Sequence, residues 1–365
     1  MIAASKPVQR PSDAKLMVIH ADGHISHRAR AVLVTFLRPT DLVIANDAAT
    51  LPASLQGLHL QSGKRVEVRL AGRRSFNDVQ HYMAIVFGEG DFRTRTEDRP
   101  PPPGLNSGDR FLFGSLSATL TKMLDHPRLI SLRFEGLPEQ IWAGLAHQGR
   151  PIQYAHVEDP LAMWDVWTSI ASLPVAFEPP SAGFVLSWQL LAAIRDQGAK
   201  FATLTHAAGI SSTGDPELDR RLPFDEPYFI PSATANAVRR ARNSRGRIIA
   251  IGTTVARALE HAAVEDCGSV HAGAGIATLR IGPASKLRVT DAILTGTHEP
   301  NTTHYQMLRA FASDSVLRRA SHELSSHSYR THEFGDSVLV ERALDRLSQP
   351  KSIELIRPSE TARRW

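Results

Sequence analysis

The chain has 365 residues, of which 42% are hydrophobic and 22% charged, close to a soluble average, enough to bury a sizeable core and of a length that favours two domains or one large one. It carries a formal charge of +5, which suits a polyanionic partner such as RNA without demanding one. A single cysteine, Cys267, excludes an internal disulfide or a multi-thiolate zinc site.

A strand is expected over Lys15–His20, closed by the turn Ala21-Asp22-Gly23, and helical spacing runs through Ala29–Leu37 to Arg38-Pro39. The apolar run from Asp41 to Ala45 then delivers Asn46 and Asp47 to the carboxyl end of a buried strand, where open α/β sheets place ligands. The texture changes at about Gln61. Lys64–Leu70, His81–Phe87 and Ile130–Phe134 alternate apolar and polar residues between turn signals, as short strands of a small β-barrel or sandwich do.

The α/β pattern returns after Pro160. A helix is expected over Leu186–Gln197 and a strand over Phe201–Thr205. A further helix, Ala233–Asn243, has Ser232 as its cap. The best local signal is the strand Arg247–Ile251, then Gly252-Thr253-Thr254, then a helix over Val255–His261. Glycine permits the tight turn, and free N–H groups with two hydroxyls at a helix N-terminus suit a carboxylate or phosphate. Arg257, one turn further, can reach the same anion; simple capping by either threonine is the competing explanation. Another strand is expected at Val289–Leu294 and another helix at Tyr305–Ala312. The fold class is α/β: a main domain with a mixed sheet (1–60 and 157–348), interrupted by an inserted small β-barrel domain (61–156) and followed by a flexible tail (349–365).

His298 and His304 are six apart, and His322, His327 and His332 five apart; neither spacing pairs ligands on one helical face, so no metal is expected. No apolar run spans a bilayer and the start lacks the long apolar stretch of a signal peptide, so no membrane partner and a cytoplasmic location are expected.

In order, these segments resemble the S-adenosylmethionine:tRNA ribosyltransferase-isomerase family of queuosine biosynthesis. The family's Asn-Asp-Thr-Arg motif is similar to Asn46-Asp47-Ala48-Ala49, and its Ala-Pro-Thr-Ala-Gly-Leu-His-Phe to Pro179-Pro180-Ser181-Ala182-Gly183-Phe184-Val185-Leu186. Its Gly-Thr-Thr-(x)-(x)-Arg resembles Gly252-Thr253-Thr254-Val255-Ala256-Arg257. Its Asp-Ala-Leu-Leu-Thr-Asn-Phe-His resembles Asp291-Ala292-Ile293-Leu294-Thr295-Gly296-Thr297-His298. Its Glu-Trp-Tyr resembles Glu226-Pro227-Tyr228, and its closing Tyr-Gly-Asp resembles Phe334-Gly335-Asp336. Ala49 and Val185 stand where those motifs have arginine and histidine, and Ser54 where a second early arginine lies.

The resemblance implies S-adenosyl-L-methionine as co-substrate and ribosyl donor. It implies tRNA bearing 7-aminomethyl-7-deazaguanine as acceptor, with epoxyqueuosine-tRNA, adenine and methionine as products. On it, Glu226, His298 and Asp336 are the acid or base candidates, and Asn46, Asp47, Ser181, Gly183, Gly252, Thr253, Thr254 and Arg257 the donor-binding candidates. A paralogous transferase acting with S-adenosylmethionine or another nucleoside donor on a small acceptor is the alternative.

Overall fold

The computed structural model describes residues 1–300 and 302–343; the tail expected at 349–365 lies outside them. Two sheets organise the chain. The larger has nine strands, and its centre runs Lys200–His206, Leu42–Asn46, Ile248–Ile251 and Ala292–Gly296, all parallel. Their side chains alternate between two cores. Leu42 and Ile44 point into one with the helices Ser232–Asn243 and Thr253–Glu265, while Val43 and Ala45 point into the other with Trp188–Asp196. A sheet covered on both faces needs continuous apolar strands, which is why these read as unbroken hydrophobic runs. The edges are mixed: Glu226–Ile230 and Gly273–Ala277 add antiparallel on one side, and on the other Ser337–Glu341 adds antiparallel, Lys15–Ile19 pairs parallel with it, and Ile25–Ala29 closes antiparallel.

The second sheet is antiparallel and closes on itself. Ser54–His59, Lys64–Gly72, His81–Phe87, Leu129–Phe134, Leu116–Met123 and Arg110–Phe113 form a ring, completed by pairing of the first strand with the last. Closure removes the exposed edges that an open sheet would present. Phe87, Phe111, Phe113 and Phe134 fill its interior, and the helix Pro138–Gln148 packs against it. The barrel begins at Ser54, ahead of the boundary expected at Gln61.

Two local expectations need correction. Arg30–Phe36 is a 3₁₀ rather than an α-helix. The helix expected at Ala233 starts at Ser232 after Pro231, and no side chain caps it; proline fixes the entry dihedral without a cap.

Candidate active site

The four parallel strands of the large sheet all end on one side of the molecule, and a cavity of about 470 Å³ opens there. Chain order puts it where theory does. The Leu42–Asn46 strand continues through the barrel to its neighbour on one side, Lys200–His206, and only later is its other neighbour, Ile248–Ile251, added, so connections diverge between them. The volume is that of a nucleoside-sized ligand site.

Gly252 forms the cavity floor at the end of Ile248–Ile251, with φ +99° and ψ 152°, a region open essentially to glycine alone. That turn starts the 13-residue helix Thr253–Glu265, whose first turn faces the cavity. Neither threonine caps it: the cap position is Gly252, and no side-chain hydrogen bond is made there. The Thr254 hydroxyl lies 3.4 Å from Asn46 Nδ2, and the Thr253 hydroxyl has no protein partner among the described residues. Unused N–H groups and hydroxyls at the positive end of a three-turn helix make an anion site. Ser181 and Ala182 form the facing wall.

Arg257 does not complete that anion site. Its guanidinium is buried and committed: Nε donates to the Leu279 carbonyl (2.8 Å), Nη2 to Phe224 (2.8 Å) and Ala277 (2.6 Å), and Nη1 to Glu226. Its function is to hold Glu226, whose other oxygen accepts the Gly209 N–H at 2.6 Å. Burial pushes the Glu226 carboxyl up, and Arg257 offsets only part of that. His206, fully buried, reaches Glu226 at 3.5 Å; burial and the Arg257 charge hold it well below the usual imidazole range, so it is neutral.

His298 sits half-buried on the opposite wall, its Nε2 at 2.7 Å from the Thr295 hydroxyl and its ring stacked on His304 at 4.8 Å. Burial, with repulsion from His304 and His332, drives its pKa well below the usual value. His332 stacks on His156 at 4.0 Å, and His156 pairs with Glu333 at 3.0 Å. Burial alone would raise the Glu333 carboxyl, but His156 outweighs it and holds it down.

Ser181, Gly252, Thr253, Thr254, Arg257, Glu226 and His298 therefore meet on one cavity, whereas four expected residues do not line it. The Asn46 carboxamide is a clip between strands, donating to the His206 carbonyl and accepting the His206 and Ala48 N–H groups. Asp47 accepts the Thr205 hydroxyl at 2.7 Å. Gly183 is buried against Thr168, whose Cγ2 would lie 3.0 Å from an added Cβ. Asp336 is buried where the Lys15 N–H and the Arg330 N–H, each at 2.8 Å, use its two oxygens to tie the edge strands. Sequence reasoning did not assign Glu178, His304, His332 or Glu333 to the site, His304 and His332 having been weighed only as metal ligands; all four are on the cavity wall. The only available signal was their nearness to motif residues. Among the described residues no cluster of His, Cys, Asp or Glu is placed to hold a metal ion, and no helix is long and apolar enough to cross a membrane.

Fold and site together define an α/β protein in which an uncapped helix N-terminus faces an uncharged imidazole across a nucleoside-sized cavity. A model of the family described as queuosine biosynthesis protein matches residues 1–340. An S-adenosylmethionine:tRNA ribosyltransferase-isomerase of Geobacter metallireducens is 30% identical over 93% of this chain and 96% of its own length; one of Symbiobacterium thermophilum is 29% identical with the same coverage. The crystal structure of the S-adenosylmethionine tRNA ribosyltransferase from Thermotoga maritima superposes with a TM-score of 0.50 at 22% identity, covering 93% of this chain and 96% of that one, which supports the shared fold. The chain belongs to the queuosine biosynthesis protein family.

Proposed function

We propose that this protein is an S-adenosylmethionine-dependent tRNA ribosyltransferase-isomerase. It transfers and isomerises the ribosyl group of its co-substrate onto 7-aminomethyl-7-deazaguanine in tRNA, giving epoxyqueuosine. The observation that supports this most is the sharing of one cavity by the Gly252–Thr254 helix N-terminus and the neutral imidazole of His298.

The chemistry divides between those two features. The N–H groups and hydroxyls of Thr253 and Thr254 take the methionine carboxylate, with Ser181 opposite. A sulfonium acidifies the carbon beside it, and a base must remove that proton. His298 is uncharged at neutral pH, and with Nε2 on the Thr295 hydroxyl its other ring nitrogen is left to take part in proton transfer, whereas both Glu226 oxygens are occupied by Arg257 and Gly209. Glu226 and Arg257 instead fix the Gly209 backbone on the cavity wall. The reaction belongs to the body expected over 1–60 and 157–348, less the barrel strand Ser54–His59, with residues 344–348 outside the described ones. The enzyme works in the cytoplasm, beside its RNA substrate.

Incubation with ribose-labelled S-adenosylmethionine and tRNA bearing 7-aminomethyl-7-deazaguanine should move label onto RNA and release adenine. Adenine release without tRNA-bound label would replace the RNA acceptor with a small molecule, and no release at all would refute the reading.

A further inference from the structure

Three buried or half-buried carboxylates line the cavity, and they differ in their partners. Glu226 is paired with the Arg257 guanidinium, and Glu333 with His156. Glu178 has no cationic partner among the described residues. It is buried on the wall beside Pro179-Pro180-Ser181, and its neighbours are hydroxyls: Tyr154 against Oε1, and Ser211, which hydrogen-bonds it through side chain and backbone.

The Tyr154 hydroxyl is placed to serve both charge states of that carboxyl. It lies 3.1 Å from the Ser212 carbonyl and 3.3 Å from the Ser212 N–H, as well as on Glu178. When Glu178 carries a proton, the carboxyl O–H donates to Tyr154 and Tyr154 donates to the Ser212 carbonyl. When Glu178 is ionised, the tyrosine proton turns onto the carboxylate and the hydroxyl oxygen keeps the Ser212 N–H. Neither state leaves a buried donor stranded, which would otherwise carry a substantial penalty. The other charges facing the pair are Glu333 across the cavity and Arg69, whose guanidinium lies over the Tyr154 ring at 5.6 Å; the His156 ring stacks on the same ring at 6.3 Å.

We propose that Glu178 is the general acid of the reaction, delivering a proton to the departing adenine, and that Tyr154 is its positioning residue. This rests on the ribosyl-transfer reading above. His298 takes a proton from the carbon beside the sulfonium; the freed pair forms a double bond to the next sugar carbon as the ring carbon–oxygen bond there opens, and the oxygen pair forms a carbonyl at the carbon that bears adenine. The carbon–nitrogen bond to adenine breaks, its pair leaving on the purine, and the Glu178 proton moves to a purine nitrogen. One proton is taken up and one given out, adenine departs neutral, and Glu178 is left as a carboxylate under the Tyr154 and Ser211 donors. Burial pushes the Glu178 carboxyl up to about 7, so the acid form is well populated at neutrality.

The test is rapid-quench measurement of adenine release with saturating S-adenosylmethionine and tRNA bearing 7-aminomethyl-7-deazaguanine. Glu178→Gln should slow release roughly 10²–10⁴-fold, the usual worth of a general acid, with the Kd for S-adenosylmethionine by calorimetry unchanged. A donor analogue with 6-chloropurine in place of adenine leaves as a weaker base and should restore most of the lost rate. Release by Glu178→Gln at the wild-type rate, or an equal loss with both donors, would overturn the assignment. In Tyr154→Phe the rate should fall with rising pH at a higher pH than in wild type, because the carboxylate loses a donor. An unmoved profile would remove Tyr154 from the proposal. If the wild-type protein released no adenine, the underlying reading would fail, an outcome separate from failure of Glu178 alone.

Discussion

Glu67 in the barrel and Glu178 in the cavity are both buried glutamates, yet they titrate in opposite directions. Glu67 accepts from Arg69 Nε at 2.7 Å and from the Ser54 hydroxyl at 2.8 Å, and its second oxygen is held by Arg99. Burial alone would raise its carboxyl, but the two guanidinium charges and their hydrogen bonds outweigh it and hold Glu67 below the usual range. Glu178, with hydroxyls for neighbours, rises to about 7 under the same burial. The difference is one of partners rather than depth. In the barrel, charges are tied together and serve closure of the ring. In the cavity, a compensating cation is withheld and the carboxyl stays able to exchange a proton.

The largest effect should come from breaking the barrel side of that contrast. Glu67→Ala leaves Arg69 and Arg99 buried without their counter-ion and should cost roughly 3–5 kcal/mol in urea unfolding. The pH sense is fixed by the lowered pKa: Glu67 stabilises the fold above its unfolded value near 4.5, and that contribution disappears as pH falls through the lower folded value. Glu67→Gln should therefore lack that part of the acid-dependent loss. A cost below about 1 kcal/mol would place the cluster with ordinary surface bridges.

The cavity side should respond with the opposite sign. Because the folded pKa of Glu178 is raised, its contribution is complete below the unfolded value and declines as pH climbs from about 4.5 through about 7. Glu178→Gln keeps an acceptor for Tyr154 without the charge, so it should be more stable than wild type at pH 8. The gain is of the order of 3 kcal/mol at most, from the size of that shift. Melting curves of both proteins at pH 5 and pH 8 decide it: the gap should open only at the higher pH, and a constant gap would refute the assigned ionisation. Gain in stability with loss of turnover is the signature of a group kept for chemistry.

Gly252 tests the scaffold between these extremes. Its φ of +99° with an extended ψ is a strained combination for any side chain, although the space itself is open, the nearest atom to an added Cβ being Ala182 Cβ at 3.5 Å. Gly252→Ala should cost about 1–3 kcal/mol through backbone strain and weaken donor binding by displacing the helix N-terminus. Unchanged stability in thermal unfolding would show that the turn relaxes freely.

Much of this was readable from sequence where local chemistry is decisive. The strand Ile248–Ile251 is apolar throughout because both sheet faces are covered, and a glycine followed by two threonines announced the turn and the helix start. The alternating strands Lys64–Gly72 and His81–Phe87 announced a small β-barrel or sandwich, although Lys64–Gly72 is buried from Val66 onward and not on alternate positions. What sequence could not assign is how each polar side chain spends its hydrogen bonds. Asn46 and Asp336 sit in motifs but are consumed in tying strands together, and Arg257 is consumed by Glu226 and three carbonyls. Glu178 and Tyr154 are 24 residues apart in the chain and acquire meaning only from their contact. The barrel strand Ser54–His59 was missed because its Gln56-Gly57-Leu58 stretch breaks strict alternation; Gly57 is required where Phe113 and the Leu112 carbonyl would meet an added Cβ within 2.4–2.5 Å.

The smallest effect on the fold should come from Thr253, and it separates binding from architecture most cleanly. Its side chain is half-exposed at the cavity, caps no helix and bonds no protein group among the described residues, so Thr253→Ala should change stability by no more than about 0.5 kcal/mol. If the methionine carboxylate sits at this helix N-terminus, the hydroxyl donates a charge-assisted hydrogen bond to it. Such bonds contribute about 1.5–3 kcal/mol, so the Kd for S-adenosylmethionine should rise at least about tenfold. Thr253→Ser keeps the donor and should bind nearly as wild type. Titration calorimetry of the three proteins is sufficient: equal affinities would move the carboxylate away from Gly252–Thr254. A matching loss in the serine variant would assign the effect to the methyl group and to packing instead.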